Sequence, residues 1–152
     1  MKVLVIGYGN PSRNDDGVGW FVIERLRELA LPGVELLAEH QLEVDLTETV
    51  SRFDWVIFVD AALAEVSPRM TRTAVQPAWA AHAVSHYLTP ADVLGLAQVL
   101  HGRAPRGELF QIPAYDLNFG ERLSALTESA AREVVMEIRD SVGGGSPLRP
   151  TV

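Results

Sequence analysis

A chain of 152 residues, 47% of them apolar and 22% charged, is sized for one globular domain that buries about two-thirds of its unfolded surface. Its 13 basic and 20 acidic residues leave a net charge of −7, which opposes non-specific binding to nucleic acid or an anionic membrane surface. There is no cysteine, so disulfides, thiolate metal ligands and a cysteine nucleophile are excluded together, and no apolar run nears the roughly 20 residues that span a bilayer.

In chain order, residues 2–7 (KVLVIG) are rich in valine and isoleucine with no polar alternation, the pattern of a central strand covered on both faces and not of a signal peptide. From Asp16 onward Val18, Phe21, Val22, Leu26 and Leu29 recur at helical spacing until Pro32-Gly33 closes the helix. Residues 34–38 read as a short strand and 43–51 as a helix with Leu46 and Val50 on its buried face. WVIFVD, residues 55–60, repeats the buried-strand pattern and ends on Asp60. The alternation over 70–76 predicts a more exposed edge strand. Thr89, Pro90 and Asp92 open a helix with a capping-box pattern that runs to His101, where Gly102 stops it. A last strand over 108–115 and a last helix from Ser124 to Asp140 follow. The domain is assigned to residues 1–142, and the tail 143–152, rich in glycine, serine and proline, is expected to be disordered.

Strands alternating with helices predict a single α/β domain, a three-layer α/β/α sandwich around a mostly parallel, twisted, five-stranded sheet with room for an antiparallel edge strand. In such sheets the site lies beyond the carboxyl ends of the strands. That rule selects the loop after Gly7, the loop after Val59 and the segment after the edge strand, which hold Asp15, Asp16, Asp60 and His86.

The first of these loops is GYGNPSRNDDGVG, residues 7–19. As a dinucleotide fingerprint it fails: Gly7 and Gly9 fit, but Ser12 stands at the third position and two aspartates occupy the place where an anion would dock. Asp15 is best read as a structural cap for the helix N-terminus. Asp16 gains significance from Asp60 at the same sheet edge, because converging carboxylates need a cation, a shared proton or water. His101 suits a structural role at a helix end, whereas His82 and His86 lie in QPAWAAHAVSHYLTP, a low-charge segment suited to folding over a site. Two carboxylates and one imidazole would suit nickel, iron, manganese or zinc with positions left open.

GYGNPSRNDDGVG after the first strand, VIFVDAAL at the third, SHYLTPADVLGLAQVL and the closing FGERLSALTESAAREV together resemble the nickel–iron hydrogenase maturation endopeptidases, over roughly residues 2–140. The short segment HQLEVDLTETV is similar to the subgroup serving bidirectional NAD-linked hydrogenases. The resemblance implies a cytoplasmic endopeptidase that removes a carboxyl-terminal extension from the nickel-loaded precursor of a hydrogenase large subunit. It implies nickel supplied by the substrate, no organic cofactor, no nucleic-acid partner and no membrane attachment. Carried over residue by residue, the metal-recognition and cleavage roles fall on Asp16, Asp60 and His86. Asn10 and Gln41 are further candidates for substrate contacts, with capping of the following helix the alternative for Gln41. Some members carry glutamate where this chain has Asp16. The alternative is a non-catalytic nickel-binding or chaperone-like module that docks the precursor.

Overall fold

The computed structural model describes residues 1–79, 87–144 and 147. Five strands, β1 (Val3–Tyr8), β2 (Val34–Glu39), β3 (Trp55–Leu63), β4 (Thr71–Val75) and β5 (Arg106–Ala114), form one sheet in the order β2-β1-β3-β5-β4. The first four of these neighbours pair in parallel, and β4 closes the sheet as an antiparallel edge against β5. This is the predicted α/β architecture, edge strand included.

Helices α1 (Val18–Leu29) and α4 (Ala125–Gly144) cover one face, burying Val22, Ile23, Leu26, Ala131, Val134 and Ile138 against Val5, Ile57 and Phe110. Helices α2 (Leu46–Val50) and α3 (Pro90–His101) cover the other, against Leu4, Ile6, Val56 and Phe58. Because side chains alternate across a strand and both faces are covered, β1 and the Trp55–Val59 part of β3 are apolar throughout, which is why their sequences show no polar alternation.

Local signals set several boundaries. Thr89 accepts from the Asp92 amide at 3.2 Å while Asp92 accepts from the Thr89 amide at 2.9 Å, the reciprocal pair read from the sequence. Gly102 ends α3 at φ 74°. Among the boundaries that differ from expectation, three stand out. β3 continues past Asp60 to Leu63, since β5 pairs with it as far as Leu63↔Ala114, so Asp60 lies within the strand and not at its end. A short 3-10 turn, Asn14–Gly17, precedes α1. Helix α4 runs on through Gly143 and Gly144, two residues into the segment expected to be tail.

Arg72 fastens the edge strand. It reaches Glu108, which is fully buried, at 2.6 Å, Glu137 at 3.2 Å and Ser141 at 2.9 Å, tying β4 to β5 and α4. Burial alone would lower the Arg72 pKa, but the two carboxylates outweigh it and raise the pKa, keeping the guanidinium charged.

The backbones of β1 and α1 approach closely at two glycines. A Cβ on Gly7 would fall inside contact distance of the Gly19 carbonyl, and one on Gly19 would sit 2.7 Å from the Tyr8 nitrogen and 2.9 Å from the Val59 oxygen. Gly7→Ala is therefore expected to destabilise the protein by about 3 kcal/mol, lowering Tm by roughly 6–12 °C. Gly102→Ala, whose Cβ meets nothing within 4 Å, should cost about 1 kcal/mol from its backbone angle alone. Calorimetry of the two variants checks the contrast.

Candidate functional site

Since β1 is flanked by β2 on one side and β3 on the other, the chain reverses its direction of winding between β1 and β3. Open α/β sheets hold their sites beyond the strand ends at such a switch point. A cleft of about 410 Å³ opens there, lined by Tyr8, Gly9, Asn10, Asp16, His40, Gln41, Leu42, Asp60, Tyr87 and Leu88. Asp16, Asp60, Asn10 and Gln41, all singled out from the sequence, thus share one cleft. His82 and His86 lie outside the described residues; Tyr87, next in the chain to His86, lines the cleft.

The glycine-rich turn is built to present a carboxylate. Gly9 has φ 142°, and a Cβ there would collide with the Asp16 carbonyl, so a side chain is excluded on both counts. Asp16 Oδ2 accepts the Asn10 amide at 2.8 Å, and Asn10 Oδ1 accepts the Ser12 amide at 2.9 Å. The Gly9 amide donates to the Glu39 carbonyl at 3.0 Å and the Arg13 amide to the Asn10 carbonyl at 3.1 Å. A phosphate would need these N–H groups, and the turn has already spent them on its own chain, the physical reason the fingerprint fails.

Asp15 does not point into this cleft. It is fully buried and accepts from the backbone of Tyr115, Asp116 and Ser124 and from the Ser124 hydroxyl. Its role is structural, as expected, but it clamps the β5–α4 connection and caps nothing in its own helix. Burial pushes its pKa up; the hydrogen bonds from Ser124, Tyr115 and Asp116 outweigh that and hold it below the ordinary value. His101 is structural too, with Nε2 3.3 Å from the Thr47 hydroxyl.

Two aromatic residues that the sequence reading passed over, Tyr8 in the cleft and Trp20 beside its glycine turn, bear on the site. Tyr8, at the end of β1, interacts with Asp60 through its hydroxyl, whose pKa is raised by burial and then by the Asp60 charge, so it stays protonated as a donor. Its signal was an aromatic residue placed directly after a buried strand at the functional edge. Trp20 donates its indole N–H to the Gly9 carbonyl at 2.9 Å and meets His40 edge-on, with ring centroids 5.4 Å apart. Gln41 donates to Glu43 at 3.0 Å and does not cap α2.

The field of the cleft is anionic. Burial pushes the Asp60 carboxyl up to about 7, and although the Ala61 amide and the Tyr8 hydroxyl favour its charged form, the nearby Asp16 charge adds to the rise. Beside the cleft, burial and then Asp45 and Glu43 raise Glu39, with His40 acting in the opposite direction. A cation or a proton would relieve this crowding. Among the described residues no group of three or more His, Cys, Asp or Glu side chains is gathered to hold a metal ion, so Asp16 and Asp60 provide at most a partial coordination set.

Because the folded pKa of Asp60 lies above its unfolded value of about 4, the folded state holds this proton more tightly. Stability from this group is therefore fully present below about pH 4 and lost as pH rises to about 7. Asp60→Asn should raise Tm relative to the parent protein by roughly 2–6 °C at pH 8 and by much less at pH 4. Equal shifts at both pH values in thermal denaturation would contradict the buried-carboxyl assignment.

No family model and no curated protein matches the sequence. Solved structures do match the fold. The hydrogenase maturating endopeptidase HybD from E. coli superposes with a TM-score of 0.75 at 20% identity, covering 96% of this chain and 94% of that one. The [NiFe] hydrogenase maturation protease HycI from Thermococcus kodakarensis KOD1 gives 0.71 at 25% identity, covering 93% and 92%. The hydrogenase 2 maturation peptidase from Thaumarchaeota archaeon SCGC_AB-539-E09 gives 0.69 at 22% identity, covering 94% and 99%. In fold, over nearly its whole length, this chain is similar to solved [NiFe] hydrogenase maturation endopeptidases.

Proposed function

We propose that this protein is an endopeptidase that removes a carboxyl-terminal extension from the nickel-loaded precursor of a [NiFe] hydrogenase large subunit. The observation that carries the reading is the pairing of Asp16 and Asp60 in one anionic cleft at the switch point of a sheet whose solved likenesses are hydrogenase maturation proteases. Two carboxylates that crowd each other favour a cation arriving from outside, and the precursor's nickel is such a cation.

In this reading Asp16, Asp60 and His86 close on the nickel as a partial set of ligands, completed by groups of the substrate. Cleavage is thereby licensed by nickel insertion. In the same reading Asn10 and Gln41, which line the cleft, contact the precursor's chain near its scissile bond. A carboxyl that exchanges its proton near neutrality, as Asp60 does, is also suited to take a proton from attacking water and deliver one to the leaving amine. Among the described residues no helix is long and apolar enough to cross a membrane.

Intact-mass analysis of a purified precursor tests the reading. Incubated with this protein, the nickel-loaded form should lose one carboxyl-terminal peptide and the nickel-free form none. Asp60→Asn and His86→Ala should each lower the cleavage rate at least 100-fold, about 3 kcal/mol of transition-state stabilisation, while leaving the far-ultraviolet circular dichroism unchanged. Tight binding with no mass change would instead favour a nickel-dependent docking module.

A further inference from the structure

The cleft accounts for Asp16 but not for the carboxylate beside it. Asp15 is 0% exposed, and its carboxylate is held by donors. Oδ1 accepts the Ser124 amide at 2.7 Å; Oδ2 accepts the amides of Tyr115 and Asp116 at 2.9 and 3.0 Å and the Ser124 hydroxyl at 2.8 Å. The Asp15 amide in turn donates to the Asp116 carbonyl at 2.9 Å.

These bonds belong to a longer seam. The connection between β5 and α4, residues 115–124, lies along the turn that carries Asp16. Asn14 donates its amide to the Gly120 carbonyl at 2.8 Å, Gly120 donates to the Ser12 carbonyl at 2.9 Å, and the Arg13 guanidinium reaches the Leu117 carbonyl at 3.0 Å. Gly120 has φ 153°, and a Cβ there would collide with Asn14 Oδ1. On the far side of the same turn, Asp16 Oδ2 holds the Asn10 amide. Asp16 therefore sits between a strap on one side and the cleft on the other.

We propose that the 115–124 connection is a positioning strap, and that Asp15 and Gly120 are positioning residues which fix the Asp16 carboxylate at its place in the cleft. The proposal deepens the protease reading and, for its kinetic part, rests on it. A carboxylate has no substitute at position 15. An asparagine would turn N–H hydrogens either toward the Ser124 amide or toward those of Tyr115 and Asp116, so one end of the clamp must open. Gly120→Ala would lift the strap from its other end without altering Asp15 or any residue of the cleft. A staple that served stability alone would leave both the Asp16–Asn10 bond and turnover untouched in variants that still fold.

The test pairs hydrogen exchange at single amides, read by NMR, with steady-state kinetics on nickel-loaded precursor, for the parent protein, Asp15→Asn and Gly120→Ala. The strap predicts that Asn10 amide exchange accelerates at least tenfold in both variants while Val5 in the core of β1 keeps its protection. It also predicts that kcat falls about tenfold or more with KM within twofold, since the lost geometry concerns the reacting centre and not uniform binding. Unchanged Asn10 exchange in folded variants, or a loss carried by KM with kcat intact, would overturn it. Should Asp15→Asn fail to fold, Gly120→Ala alone decides. Should the parent protein cleave no precursor, the protease reading fails, and the exchange measurement still judges the strap.

Discussion

The contact on which the site depends is the backbone approach of α1 to the ends of β1 and β3. Gly19 rests against the Tyr8 nitrogen and the Val59 oxygen, and Gly7 rests against the Gly19 carbonyl, all at distances that leave no room for a Cβ. That approach sets three groups in one place. Tyr8 follows Gly7 in β1, Asp60 follows Val59 in β3, and Asp16 stands one 3-10 turn before the helix that makes the contact. Any side chain at either glycine would separate the helix from the sheet and, with it, Asp16 from Asp60.

The convergence has an electrostatic consequence. Asp60 follows five fully buried residues of its strand, so its charge is poorly hydrated, and the charge on Asp16 makes ionisation harder still. The protein relieves only part of this, through the Ala61 amide and the Tyr8 hydroxyl. What remains is a site prepared for positive charge in a chain that is itself acidic. The same turn in a nucleotide-binding protein would turn its amides outward; here they bond to Asp16, Asn10 and Glu39, and the carboxylate faces the opening instead.

Much of this was legible in the sequence because it rests on local chemistry. Unbroken apolar runs identified β1 and β3, Thr89, Pro90, Asp92 and Gly102 delimited α3, and the alternation around Arg72 identified the edge strand. Asp16 was found because it opens the first helix after a recognisable strand, and Asp60 because it ends the apolar run of β3, although the strand itself continues past it. What stayed hidden depends on partners distant in the chain. The extension of β3 past Asp60 is decided by pairing with β5, and the clamp role of Asp15 by donors at 115, 116 and 124. The Arg72–Glu108 pair joins two strands whose adjacency no short-range pattern reveals. Helix α4 passes through Gly143 and Gly144 despite their poor propensity, so composition misplaced the start of the tail.

The central claim is that the cleft carboxylates meet the metal of the substrate. Nickel-edge X-ray absorption on the loaded precursor, frozen on mixing with this protein before cleavage, tests it most directly. The account predicts new oxygen or nitrogen scatterers at about 2.0–2.2 Å from nickel, weakened when Asp60→Asn replaces the parent protein. A nickel shell that is the same with and without this protein would contradict it.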